Sequence, residues 1–120
     1  MEAVSVVEAT RRLADQDDHR GWWLVDVREP DEFAQFRAEG AILLPLSTFQ
    51  LRYRELPTDR PLLIICATGT RSRAAGEFLT AQGYGTVANV EGGTVGWAQA
   101  RLPLRVGRLA DGEGDLPPRP

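Results

Sequence analysis

Leu62-Leu63-Ile64-Ile65 is the segment that most narrows what this chain can fold into. Four consecutive branched apolar residues, with Gly69 breaking the chain soon after, read as a buried strand. Ser72 to Gln82 then repeats its apolar residues at helical spacing, with Ala75, Phe78 and Leu79 inward and Gly83 as its C-terminal stop. A buried strand feeding directly into a helix is the repeating unit of α/β proteins.

The same alternation runs along the rest of the chain. Ser5-Val6-Val7-Glu8 fits a reciprocal capping box, and Val6, Ala9, Leu13 and Ala14 continue a helix to about Gln16. Asp15 to Gly21 is polar and reads as a loop, and His19 within it is expected to be a solvated loop side chain rather than a catalytic one. Trp23 to Val27 is a short bulky strand, and strand alternation sends one of Trp22 and Trp23 into the core and the other away. Pro30 suits the first turn of a helix carrying Phe33 and Phe36. Ile42 to Leu44 is a further apolar run, and Ser47 can cap a helix with Phe49, Leu51, Tyr53 and Leu56 on one face. Val87 to Val90 is the last strand, followed by Glu91-Gly92-Gly93 and a short helix around Trp97. These elements predict an α/β fold with a mostly parallel sheet.

The length of 120 residues fits one domain, here residues 1–105. Residues 106–120 are a polar, Gly- and Pro-rich tail, expected to be flexible and to add nothing to the core. An apolar share of 42% and a charged share of 26% suit a soluble globular protein. A formal charge of -3 offers no electrostatic reason for nucleic-acid or anionic-membrane binding. No stretch reaches the roughly 18 apolar residues of a membrane span. The N-terminal residues lack a secretory pattern, so a cytoplasmic location is expected. The single cysteine can neither close an internal disulfide nor supply a dedicated zinc site. It is therefore an inert core residue or a reactive thiol.

Its neighbours decide between the two. Cys66 ends the buried strand, Ala67-Thr68-Gly69-Thr70 follow, and Arg71-Ser72 open the helix. Ligands of parallel α/β sheets bind beyond the carboxyl ends of the strands. The turn presents N–H groups that the helix cannot satisfy, and with the helix dipole they favour an anion over the loop. Gly69 permits backbone angles that let those N–H groups converge. Arg71 adds a permanent cation with a fork suited to oxyanions. A cysteine so placed has a lowered pKa and more thiolate at neutral pH. An isolated Cys-x-x-Gly-x-Arg fits an unreactive buried cysteine beside an ordinary turn; its place between strand and helix reverses that preference.

Cys66 to Ser72, CATGTRS, resembles the active loop of rhodanese-like sulfurtransferases, in which cysteine opens a six-residue loop closed by arginine. Leu24 to Phe33, LVDVREPDEF, is similar to that family's Asp-Val-Arg-Glu strand and helix start. Gly40 to Pro45, GAILLP, and Val90 to Trp97, VEGGTVGW, resemble its Gly-Ala-Ile/Asn-Ile-Pro and Gly-Gly-x-x-x-Trp elements. Order and spacing match over roughly residues 3 to 104. One departure is Phe36-Arg37-Ala38-Glu39, where the family commonly has Gly-His-Ile-Pro.

The resemblance implies a five-stranded, mainly parallel sheet flanked by helices on both faces. It implies Cys66 as the catalytic residue, with Ala67, Thr68, Gly69, Thr70, Arg71 and Ser72 as the substrate loop. Asp26 and Arg28 would stand at the rim of that loop as an ion-pair framework, and Trp97 and Gly92-Gly93 would serve packing and turning. The implied activity moves sulfane sulfur from thiosulfate or another persulfide donor to cyanide, a thiol or a sulfur-accepting protein, without metal or organic cofactor. Two other readings stand beside it. A phosphatase or arsenate reductase has a loop one residue longer, and a non-enzymatic regulatory module has no need to retain Cys66.

Overall fold

The computed structural model describes residues 1–15 and 21–117. Five strands form one parallel sheet: β1 (Glu2–Val4), β2 (Trp23–Asp26), β4 (Ile42–Leu43), β5 (Leu62–Ile65) and β6 (Val87–Val90), in the order β1-β6-β5-β2-β4. Both faces are covered by helices. Leu62, Ile64 and Val25 point to a core shared with α3 (Leu46–Arg52) and α4 (Thr70–Ala81). Leu63, Ile65 and Leu24 point to the opposite core, shared with α1 (Val6–Ala14), α2 (Pro30–Gln35) and α5 (Gly93–Gln99). A strand apolar at every position thus has a use for both of its faces.

Several local expectations meet a different structure. Ser5 does cap α1, accepting from the Glu8 N–H at 3.0 Å, but the Glu8 carboxylate turns to Arg11 and Arg12 instead of back to Ser5. Two guanidinium partners outweigh one neutral N–H. Helix α1 ends at Ala14, with Asp15 as its C-cap; Gln16 and His19 lie outside the described residues. Trp22 and Trp23 do face opposite ways, yet each is half-buried against one of the two cores, because neither face of the sheet is open. Ser47 is not a cap: Pro45 holds that position, and the Ser47 hydroxyl instead donates to Glu29 at 2.6 Å.

Pro30 does open α2, but Phe36 leaves the helix with extended angles (φ -160°, ψ 155°). It begins β3 (Phe36–Ala38), which pairs antiparallel with β7 (Leu104–Val106). Arg37, in this ribbon, is 1% exposed. Its guanidinium donates to the carbonyls of Phe33 at 3.2 Å and Gly107 at 2.7 Å, and to the Glu113 carboxylate at 2.9 Å. Residues 107–117 are thereby drawn onto the body of the fold. Leu109 and Leu116 pack against the two cores, and Leu43 N–H donates to the Gly114 carbonyl at 2.8 Å. Its composition suggested an idle extension; a buried guanidinium that needs acceptors holds it in place.

Candidate active site

Cys66 follows the last residue of β5, and the central position of that strand in the sheet buries it. Ala67, Thr68 and Gly69 make the turn, and α4 starts at Thr70, two residues earlier than its apolar spacing implies. Gly69 is the N-cap of α4 with φ 107°, a left-handed conformation that frees its N–H to point back at the sulfur. That N–H stands 3.1 Å from Cys66 Sγ, and Ser72 Oγ stands 3.2 Å from it. Thr68 and Thr70 are exposed, Ala67 and Arg71 half-buried, and Ser72 fully buried. The loop therefore turns a polar mouth outward and its hydrogen-bond donors inward.

A second helix secures the other side of the loop. The N–H groups of Thr94 and Val95, in the first turn of α5, donate to the carbonyls of Cys66 at 2.8 Å and Ala67 at 3.0 Å. This approach is so close that a Cβ on Gly93 would run into both of those carbonyl oxygens, and Gly93 itself has φ 58°. Carbonyls bonded from behind and N–H groups facing the sulfur give the loop one orientation. Burial pushes the Cys66 thiol up, but the Ser72 hydroxyl and the N–H groups of Ser72, Gly69 and Thr68 outweigh it, so the net shift is below the ordinary thiol value. Such a site enriches thiolate.

Arg71 is in the loop, but its fork is engaged. Nη1 and Nη2 donate to the two carboxylate oxygens of Glu32 at 2.7 and 2.8 Å. Glu32 also accepts from the Glu29 N–H at 3.0 Å, closing the capping box of α2. The Arg71 guanidinium holds the Glu32 carboxyl down to about 2, so the pair is intact at neutral pH. Asp26 and Arg28 are both buried, 0% and 2% exposed. Arg28 forks onto Asp26 and donates to the carbonyls of Glu32 at 3.3 Å and Phe36 at 2.8 Å, tying β2 to the last turn of α2. Burial pushes the Asp26 carboxyl up, against the opposing pull of Arg28.

A family model for the Rhodanese-like domain matches residues 5–100. The chain belongs to the rhodanese-like family. It is 42% identical over 95 residues to a sulfurtransferase of Allochromatium vinosum, spanning 79% of this chain and 86% of the relative. Among solved structures it is similar to a rhodanese-related protein of Thermoplasma volcanium, with 28% identity, TM-score 0.77, and coverage of 88% of this chain and 98% of that one. It is also similar to a thiosulfate sulfurtransferase of Pseudomonas aeruginosa, with 26% identity and TM-score 0.77, covering 90% of this chain and 21% of that one.

Three site features of this rhodanese-like chain escaped the reading of its sequence. Glu32 was visible as the acid after Pro30 at the start of α2, but its partner lies 39 residues away. Asn89 is the one polar residue in the buried strand Val87–Val90, and a polar side chain there must find partners. It finds Ser72 Oγ at 2.6 Å and the Gly69 carbonyl at 3.1 Å, both in the cysteine loop. The α5 N-terminus behind the loop was foreshadowed by Gly92-Gly93, whose adjacency required a close approach.

Proposed function

We propose that this chain is a sulfurtransferase working by double displacement through a persulfide on Cys66. The observation that carries this reading is the position of Sγ, at the carboxyl end of a central strand and 3.1 Å from the Gly69 N–H. The Cys66 thiolate attacks the outer sulfur of a donor such as thiosulfate. The donor's sulfur–sulfur bond breaks and its electron pair leaves with sulfite. The new sulfur–sulfur bond leaves one negative charge on the outer sulfur of Cys66. An acceptor, cyanide or the thiolate of a small molecule or protein, attacks that outer sulfur and departs as thiocyanate or a persulfide, restoring the Cys66 thiolate. The N–H groups of the loop and the start of α4 stabilise charge as it moves outward, and no cofactor enters the sequence of steps.

The short turn supports sulfur chemistry over oxyanion hydrolysis. Only Ala67, Thr68 and Gly69 lie between Cys66, which follows β5, and the helix. A tetrahedral phosphoryl or arsenyl centre needs a wider cradle. Thiosulfate treatment of the protein should add one sulfur atom to its intact mass, removable by cyanide or a thiol. Cys66→Ala should remain folded and take up no sulfur, and aryl-phosphate hydrolysis should stay at background. Sulfur retained on the alanine variant, or phosphate release dependent on Cys66, overturns the proposal.

A further inference from the structure

Ser72 Oγ lies within hydrogen-bonding distance of two acceptors, Cys66 Sγ at 3.2 Å and Asn89 Oδ1 at 2.6 Å. A hydroxyl has one proton and can satisfy only one of them at a time. Asn89 cannot turn its amide over to relieve the competition. Its Nδ2 donates to the Gly69 carbonyl at 3.1 Å, a group that only accepts, so Oδ1 is fixed toward Ser72. All three side chains are buried, and within this cluster Ser72 Oγ is the donor that reaches Oδ1.

We propose that Asn89 is a positioning residue that makes the Ser72 hydroxyl a two-position switch, favouring the sulfur-loaded protein over the free thiolate. With a protonated thiol, the Ser72 proton sits on Asn89 Oδ1 and its oxygen lone pair faces the sulfur. With a bare thiolate, the hydroxyl turns to Sγ and strands a buried amide oxygen against an oxygen lone pair. Once sulfur is loaded, the charge moves to the outer atom and Sγ becomes a poor acceptor. The hydroxyl proton then returns to Asn89. The free thiolate alone bears the loss of that hydrogen bond, so Asn89 pushes the first half-reaction toward the persulfide. This inference rests on the proposed sulfur transfer for its consequence, but the switch itself exists in the unloaded protein.

The charged groups around the switch are few. Arg71 on α4 senses the sulfur's charge and is paired with Glu32 on α2. Asp26 and Arg28 on β2 and after it are paired with each other, and Glu91, which follows β6, is exposed.

The test is the rate of Cys66 alkylation against pH, in protein without any sulfur donor. Asn89→Ala frees the Ser72 proton for the thiolate and should move the profile down by about half to one pH unit, the equivalent of one hydrogen bond. Asn89→Asp keeps an acceptor and adds negative charge, so its profile should move up. In a Ser72→Ala background, Asn89→Ala should produce no shift. A merely structural Asn89 predicts that both substitutions loosen the loop and move the profile up together. That result, or an Asn89→Ala shift that persists without Ser72, overturns the inference. Uptake of thiosulfate sulfur by the unaltered protein is measured alongside. Failed uptake with the expected shifts removes the sulfurtransferase reading alone, and normal uptake with no shifts removes the switch alone.

Discussion

The cysteine loop and the β3–β7 ribbon both bury polar groups, but they recruit partners over very different stretches of chain. The donors within reach of Cys66 Sγ come from Gly69 and Ser72, three and six residues along. The acceptors around Arg37 include Gly107 and Glu113, 70 and 76 residues along. Donors to the sulfur that come from its own neighbours can be read from a short motif, whereas Asn89 and the start of α5, which also hold the loop, cannot. A guanidinium satisfied from the other end of the chain leaves no local trace, and it converts a Gly- and Pro-rich tail into part of the structure. The comparison also separates two kinds of loss: damage to the ribbon should act on stability, and damage to the loop should act on chemistry.

The largest stability effect should follow Glu113→Ala. It leaves the 1% exposed Arg37 guanidinium with carbonyls alone and no counter-charge. Arg37 is buried while the Glu113 side chain is 17% accessible, so removing the counter-charge should destabilise by up to about 3 kcal/mol, the low end for a buried pair, readable as a lower urea midpoint with unchanged slope. Thiosulfate turnover per folded molecule should match the unaltered protein. The Arg37 guanidinium also holds the Glu113 carboxyl at about 2. Its folded value is depressed, so the pair's contribution is complete above the ordinary carboxylate range near 4.3 and lost as pH falls through about 2. The alanine variant should therefore lose less stability than the unaltered protein between pH 5 and pH 2. A neutral effect of Glu113→Ala would return the tail to the idle role its composition suggests.

The parallel sheet was legible because Leu62–Ile65 and Val87–Val90 are apolar on both faces or nearly so, and helical spacing follows Cys66. The loop was legible because Cys66, Gly69 and Ser72 act on one another through local backbone geometry. What escaped has a common cause. Strands β1, β3 and β7 are three residues each, too short to show a period of two, and exist through pairing with distant partners. The spacing of Phe36 from Phe33 suits a helix, yet Phe36 is extended and begins β3, where Arg37 finds its distant acceptors. Arg71 was expected to offer its fork to a substrate, and a carboxylate from another helix occupies it.

Gly93→Ala should reverse the balance seen at Glu113. A methyl group there would enter the space of the Cys66 and Ala67 carbonyls at a backbone φ of 58°. Left-handed backbone and local overpacking together suggest a loss of roughly 2 to 3 kcal/mol. The chain can relieve the clash only by moving α5 or the loop, and the loop is the smaller body. Sulfur uptake per folded molecule should therefore fall by more than tenfold, with alkylation of Cys66 shifted to higher pH as its N–H donors diverge. Full activity in a folded Gly93→Ala protein would mean that α5 does not set the loop's orientation.

The smallest effect expected is also the one that bears most directly on the donor. Glu32→Gln keeps an amide oxygen to accept from the Glu29 N–H, so the start of α2 should hold. It removes the carboxylate that engages both arms of Arg71. The pair is partly exposed, with side chains 37% and 32% accessible, so solvent already screens much of the attraction. Freeing the cation should then strengthen binding of dianionic thiosulfate by no more than about fivefold, the equivalent of roughly 1 kcal/mol. The gain should appear in KM rather than kcat, and it should shrink as salt is raised, because the interaction is a screened one. A neutral persulfide donor should show no such gain. An unchanged KM for thiosulfate would mean that the donor does not meet Arg71 at all. A raised KM would mean that Glu32 holds Arg71 in the pose the donor uses, and that the pair belongs to the site as a unit.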